Sequence, residues 1–68
     1  MENKLDYIKY HLDNGYKIEK LKRKNRHIGK IILSSEGRQK KIIALFGEEL
    51  NKTAQFYFEL LDKGYYLL

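Results

Sequence analysis

Cationic side chains are concentrated in the middle of this sequence. Between Lys17 and Lys41 there are ten lysines and arginines but only two acids, Glu19 and Glu36, so this segment carries a formal charge of +8. The rest of the chain has four lysines and seven acids and carries −3, which gives the overall charge of +5. Lysine and arginine neutralise phosphate groups and release the counterions condensed on a nucleic acid. Binding of a polyanion is therefore the chemistry that this segment offers.

The candidates for contact with nucleic acid lie on three predicted strands and the turns between them. They are Lys20, Lys22, Arg23, Lys24, Arg26, Lys30, Arg38, Lys40 and Lys41. The three arginines are candidates for bidentate contacts with bases or phosphates, because a planar guanidinium offers parallel N–H donors. The lysines would position the chain on phosphates. The alternative is that basic residues protect exposed strands from aggregation, which accounts for two or three lysines but poorly for a segment of +8.

Residue types that would support catalysis, or hold a metal or cofactor, are sparse. The sequence has no Cys, and its two histidines, His11 and His27, are too few for a zinc site without carboxylates. It contains no nucleophile elbow, phosphate-binding loop or zinc-protease motif. Glu48 and Glu49 diverge by about 100° on a helix, and acids at that place favour a helix N-terminus. We therefore expect no enzymatic activity and no cofactor.

The cationic segment lies between two predicted helices. The first covers about residues 3–13, where Leu5, Ile8 and Leu12 recur with helical spacing, and it ends at Asn14-Gly15. The second covers about residues 48–63, with Gly47 as its N-cap. In the second helix a main stripe of Leu50, Ala54, Tyr57 and Leu61 is widened by Phe56, Phe58 and Leu60. These residues span an arc of about 200°, which is wider than one buried face needs.

The helices flank three predicted strands at residues 16–23, 27–34 and 39–46. The alternation of the first strand changes phase at Leu21, which predicts a bulge or an early strand end. Asn25 lies in the first predicted turn and tolerates a positive φ, and Gly37 is the residue of the second turn that we expect to take one. Short connections favour an antiparallel meander. We expect one domain over residues 1–68, a small α+β fold of order α-β-β-β-α with a three-stranded antiparallel meander packed against two helices.

This order of elements resembles that of double-stranded RNA-binding domains. That family places a lysine cluster at the start of its second helix to hold phosphates, whereas this chain has Gly47, Glu48 and Glu49 there. A pair of carboxylates would repel a phosphate backbone. The resemblance is therefore limited to the succession of elements, and no residue of that family is carried over.

Both sides of the predicted sheet are apolar in part. Ile42 and Phe46 point to one side and Ile43 and Leu45 to the other, because side chains alternate along a strand. Either one helix covers each side, or both helices cover one side and the other meets a second copy or a different protein. We expect the second arrangement, because the second helix has a wide apolar arc and Tyr7 and Tyr10 lie off the core stripe of the first helix. A partner or second copy is then expected, since a monomer rarely exposes a large apolar patch. The predicted interface residues are Tyr7, Tyr10, Phe56, Tyr57 and Leu60.

The sequence thus predicts a small non-catalytic nucleic-acid-binding protein, a dimeric regulator or accessory factor that contacts the phosphates of DNA or RNA. The alternative is a protein-interaction module, an adaptor or inhibitor that docks onto a larger acidic protein. No apolar run reaches the about 18 residues needed to span a bilayer, and the N-terminal residues lack the features of a signal peptide. We expect a cytoplasmic protein that does not bind membranes.

Overall fold

The computed structural model describes residues 3–68. Its elements are α1 (Lys4–Asp13), β1 (Lys17–Arg23), β2 (Ile28–Ser34), β3 (Lys41–Phe46) and α2 (Gly47–Lys63). The strands form a single antiparallel sheet in the order β1-β2-β3. The predicted α-β-β-β-α order and the antiparallel meander are confirmed.

Both helices pack on the same side of the sheet. Ile8 and Leu12 of α1 and Leu50 and Leu60 of α2 belong to one core cluster of buried side chains. The sheet contributes Ile18, Ile31, Leu33 and Leu45 to that cluster. The opposite side of the sheet has no element packed against it in the part of the chain that is described. One side therefore holds the core, and the other faces solvent.

Helix α1 is held by polar contacts at its start and by glycine at its end. The side chain of Asn3, its N-cap, accepts a hydrogen bond from the backbone N–H of Asp6 at 2.9 Å. The backbone N–H of Lys4 donates to the Glu49 carboxylate at 2.8 Å, which satisfies one of the free donors of a helix N-terminus. Gly15, with φ of +96°, follows the helix as predicted.

Helix α2 begins one residue earlier than predicted. Gly47 is its first residue and Phe46 is its N-cap, without a side-chain capping bond. The buried stripe also differs from the predicted one, because Leu50, Thr53, Ala54 and Leu60 face the core. Phe58 and Leu61, expected in the stripe, are 62% and 47% exposed. Thr53 and Ala54 are small, so this face lets the helix approach the sheet more closely than the predicted face would.

Strand β1 contains the irregularity that its alternation predicted. The register with β2 shifts between Ile18 and Lys20, so Glu19 is the extra residue of a bulge. The shift lets both Ile18 and Leu21 point toward the helices, opposite Leu33 and Ile31 of β2. Without the bulge one of these two side chains would lie on the solvent side of the sheet.

The turns and the C-terminal tail complete the sheet. Asn25 does not have a positive φ; its side-chain oxygen instead accepts the N–H groups of His27 and Ile28 at 2.8 and 3.0 Å. The turn lies where it was predicted, and an Asx-type turn closes the hairpin without a left-handed residue. Gly37 has a φ of +77°, as expected. In the tail, Leu67 forms a parallel bridge with Ile18.

Candidate nucleic-acid interface

The solvent-facing side of the sheet combines lysines with apolar side chains. We call it the open face, and it consists of Lys20, Lys22, Ile28, Lys30, Ile32, Ile42, Ala44 and Phe46. Strand pairing arranges these residues in rows, with Lys22 opposite Lys30 and Lys30 opposite Ala44 in one row. The next row joins Lys20, Ile32 and Ile42. The open face is therefore a continuous surface rather than a set of separate exposed residues.

Three lysines give the open face its charge. Lys22 and Lys30 are direct cross-strand partners, and Lys20 lies two residues from Lys22 on the same side of β1. The three strands contain one acid, Glu19, which is the bulge residue and pairs with Lys40 at 2.8 Å. Because Ile18 and Leu21 both point toward the helices, the bulge places Glu19 on the same side of the sheet as Lys20, whose positive charge contributes to lowering the pKa of Glu19. In the row of Lys22, Lys30 and Ala44, by contrast, no carboxylate of the three strands balances the two lysines.

The turn of the first hairpin extends this positive surface. Lys24 and Arg26 lie in the turn at one end of the sheet, and both are exposed. A groove of about 390 Å³ opens at this end. It is lined by Lys22, Arg23, Lys24, Ile28, Gly29, Lys30 and Ala44. The lining of this groove therefore combines cationic and apolar groups next to the turn.

Arg23 lies at the same end of the sheet but on the other side. Arg23 is opposite Gly29 of β2, and Gly29 lies against Leu50 of α2 on the core side. The Arg23 guanidinium donates a hydrogen bond to the side-chain oxygen of Asn51 at 3.3 Å. Of the predicted contact residues, Arg23 is therefore directed toward α2 and away from the open face.

Three other predicted contact residues lie near the far end of the sheet. The Arg38 guanidinium stacks over the ring of Tyr16, 4.9 Å from its centroid. Lys40 pairs with Glu19, and Lys41 is half-buried opposite Leu33. A seven-residue strand spans about 20 Å, so these cations are well separated from the hairpin turn. Of the nine predicted residues, the fold groups Lys20, Lys22, Lys24, Arg26 and Lys30.

The ion pair of Glu19 has an electrostatic consequence. The hydrogen bond from Lys40 lowers the pKa of the Glu19 carboxyl below its ordinary value of 4.5, and the positive charges of Lys40 and Lys20 add to this effect. Glu19 is therefore charged throughout the neutral range. Its partner Lys40 is correspondingly less able to contact a phosphate than a lysine without an acid beside it.

The predicted protein-interface residues fall into two groups. Leu60 is only 6% exposed and belongs to the protein's own core, and Phe56 and Tyr57 pack against that core half-buried. Tyr7 and Tyr10 are exposed on α1. Both of their rings contact the imidazole of His11, with centroids 4.4 and 5.6 Å away. The first group thus serves the fold of the protein itself, and the two tyrosines remain accessible.

Sequence reasoning did not include the apolar residues of the open face, or one lysine beside them, among the site residues. Phe46 is 54% exposed and Ile42 is 64% exposed. The Lys4 ammonium lies 5.0 Å from the centroid of the Phe46 ring and donates to the Ala44 carbonyl at 2.6 Å. Strand alternation already placed Ile42, Ala44 and Phe46 on one side. Lys4 is distant in sequence, and no local pattern connects it with β3.

Metal and membrane sites have no support in the described residues. No group of three or more histidine or acidic side chains in residues 3–68 is arranged to hold a metal ion. Neither helix in that range is long and apolar enough to cross a membrane. Comparison of the chain with protein-family models, with curated proteins and with solved structures found no match.

Proposed function

We propose that this protein binds nucleic acid without catalysis, as a regulator or accessory factor, and contacts phosphates through the open face and the first hairpin turn. The observation that carries the proposal is the pairing of Lys22 with Lys30 in a row of the sheet without an acid, with Lys20 on the same side and Lys24 and Arg26 in the adjacent turn. Clustered cations on one surface are the electrostatic basis of nucleic-acid binding.

The pairing of Lys22 with Lys30 supports a polyanionic ligand. Like charges directly opposite each other on neighbouring strands destabilise a sheet. An anion bound between the two ammonium groups would remove this repulsion. A solubilising role would be served equally well by lysine opposite a neutral polar residue, without the cost to stability.

The same charges argue against a second copy of the protein on the open face. A two-fold symmetric contact brings the same patch of each protomer together. Lys22 and Lys30 of one protomer would then approach the lysines of its partner, and no acid in these rows would compensate them. A phosphate backbone matches this surface in charge, and a second copy does not.

The proposal is tested by fluorescence anisotropy with labelled random 20-mers of DNA and RNA, single-stranded and duplex. The double variant K22E/K30E should bind at least about tenfold more weakly than the wild type at low salt. The matched control is K52E/K63E, which makes the same change in net charge on exposed positions of α2. Equal losses in both variants, or no binding by the wild type, would refute the proposal.

A protein-contact role is a second candidate, favoured by the apolar residues exposed on α2. Phe58 and Leu61 lie one helical turn apart and are both exposed, on the helix layer opposite the open face. A surface of this kind would suit a second copy or an adaptor's protein partner. Light scattering during size exclusion tests self-association, which F58S/L61S should abolish if α2 forms the dimer contact.

A further inference from the structure

We infer that the preferred ligand of the open face is a single-stranded nucleic acid, with Phe46 as a stacking platform for a base. This inference rests on the proposed function and names its ligand class. The lysines alone would suit any phosphate backbone. The apolar side chains between and beside the lysines are what favours single strands over duplexes.

Exposed apolar groups lie directly beside the cations of the open face. Ile42 and Phe46 are more than half exposed, and Ile28 pairs with Phe46 at the same end of the sheet. A duplex presents phosphates and sugars on its outside and keeps its base faces stacked inside, so it offers these side chains little to contact. In a single strand the base faces are free, and proteins bind them with aromatic and apolar side chains next to a basic surface.

The environment of Phe46 suits a stacking role. Its ring lies at the end of β3 nearest the hairpin turn, and the Lys4 ammonium is 5.0 Å from its centroid. Lys4 is held in this place by its hydrogen bond to the Ala44 carbonyl. A base that stacks on the ring would therefore have a fixed positive charge close to the phosphate that follows it.

The groove beside the turn has the size and lining for one nucleotide. Its volume of about 390 Å³ lies within the range of about 300–1,000 Å³ that is usual for small-ligand sites. Ile28 and Ala44 supply apolar surface, and Lys22, Lys24 and Lys30 supply positive charge around it. A base against the apolar part and a phosphate among the lysines would use both halves of this lining.

Among residues 3–68, the architecture gives no free element that would enter a duplex groove. A two-stranded ribbon fits the major groove, but β2 is paired with β3 from Ile28 to Leu33 and is the central strand of the sheet. At the end of the sheet that carries the proposed site, the turn of the first hairpin extends beyond the strands. Close behind it, the backbone N–H of Gly47 at the start of α2 donates to the His27 carbonyl at 2.8 Å. The turn is thus tied to α2, and the first hairpin is not a free ribbon.

The test compares ligands that all carry phosphates but differ in whether they have free base faces. Labelled single-stranded DNA and RNA 20-mers, the corresponding duplexes and, as a competitor, inorganic polyphosphate are titrated against the wild-type protein. Single strands should bind at least about fivefold more tightly than duplexes. A fivefold difference is the low end of the gain in affinity from stacking one base on an aromatic ring. Polyphosphate should compete poorly at matched phosphate concentration, since it has no bases.

A pair of variants tests Phe46 itself. F46L keeps an apolar side chain but removes the aromatic ring, and it should bind single strands about fivefold or more weakly while its affinity for duplexes stays unchanged. F58L, the same substitution on the exposed side of α2, should bind as the wild type does. Circular dichroism of both variants shows whether each is folded.

The outcomes separate this inference from the proposed function. Duplexes bound as tightly as single strands, equal competition by polyphosphate, or wild-type binding by a folded F46L would each overturn the single-strand inference and leave nucleic-acid binding intact. If no nucleic acid binds at low salt, both fail. If F46L does not fold, the comparison of ligands on the wild-type protein decides alone.

Discussion

Lys22 of β1 and Lys30 of β2 are directly opposite each other on the open face of the sheet. The two ammonium groups repel each other, and no carboxylate of the three strands lies in their row. The pair therefore slightly lowers the stability of the folded protein, and it lies at the centre of the proposed binding surface. Stability and binding should respond in opposite directions when one member of the pair is reversed in charge.

The variant K30E should be more stable than the wild type and should bind nucleic acid more weakly. The introduced carboxylate would face Lys22, so the free energy of unfolding should rise by about 0.2–1 kcal/mol as repulsion becomes attraction. Urea unfolding measures the stability, and anisotropy measures the binding. The control K52E, on an exposed position of α2, should not gain stability and should bind as the wild type does. A K30E protein that bound normally would contradict the proposed site.

The affinity should fall steeply with salt. Five cations are grouped at the site, and each contact with a single-stranded phosphate contributes about −0.7 to the slope of log K against log salt, so we expect a slope near −3.5. The variant K20Q should reduce the magnitude of that slope by about 0.7. K40Q is the comparison, because Lys40 is already paired with Glu19. A slope near zero would show that phosphates are not the main contact.

Gly29 is expected to tolerate no side chain. A Cβ at this position would lie 2.6 Å from the Lys22 carbonyl oxygen and 2.8 Å from a methyl group of Leu50. The backbone of β1 cannot move away without disturbing the sheet, so G29A should lower the free energy of unfolding by about 1–3 kcal/mol. Urea unfolding is the measurement. K30A, the neighbouring position on the open face, should cause no such loss, and an equally stable G29A would contradict this account of the close packing.

The pair of Glu19 and Lys40 should make stability depend on pH in the acidic range. The pKa of Glu19 is lowered in the folded protein, chiefly by the hydrogen bond from Lys40. The unfolded chain therefore binds a proton more readily, so the stabilisation is complete above the ordinary value of 4.5 and is lost as the pH falls through the lower folded value. Thermal unfolding between neutral pH and about pH 3 should show a smaller decrease for E19Q than for the wild type. Equal decreases would indicate that Glu19 and Lys40 do not interact in solution.

Much of the fold follows from local patterns in the sequence. The helical spacing of Ile8 and Leu12 and the alternation in β3 predicted elements that the structure contains. The phase change before Leu21 predicted the bulge, which lies at Glu19. Glycines after both helices end them, because the left-handed conformation costs glycine little. These features depend on residues that are near one another in the chain.

The grouping of the cations could not be predicted in this way. Neighbouring residues of a strand point to opposite sides, so a shift of one residue in register exchanges the two sides. The bulge at Glu19 placed Lys22 opposite Lys30 on the open face and turned Arg23 toward Asn51 of α2. The turn between β2 and β3 places the Arg38 guanidinium over the ring of Tyr16.

The sequence by itself determined that this is a two-helix, three-stranded domain with a basic middle and apolar residues on both sides of its sheet. Only the tertiary structure decided which cations share a surface and which apolar residues stay exposed beside them. Charge and periodicity are properties of a single segment of the chain. Which residues share a surface depends on the register between neighbouring strands. That register depends on side-chain packing across the whole core.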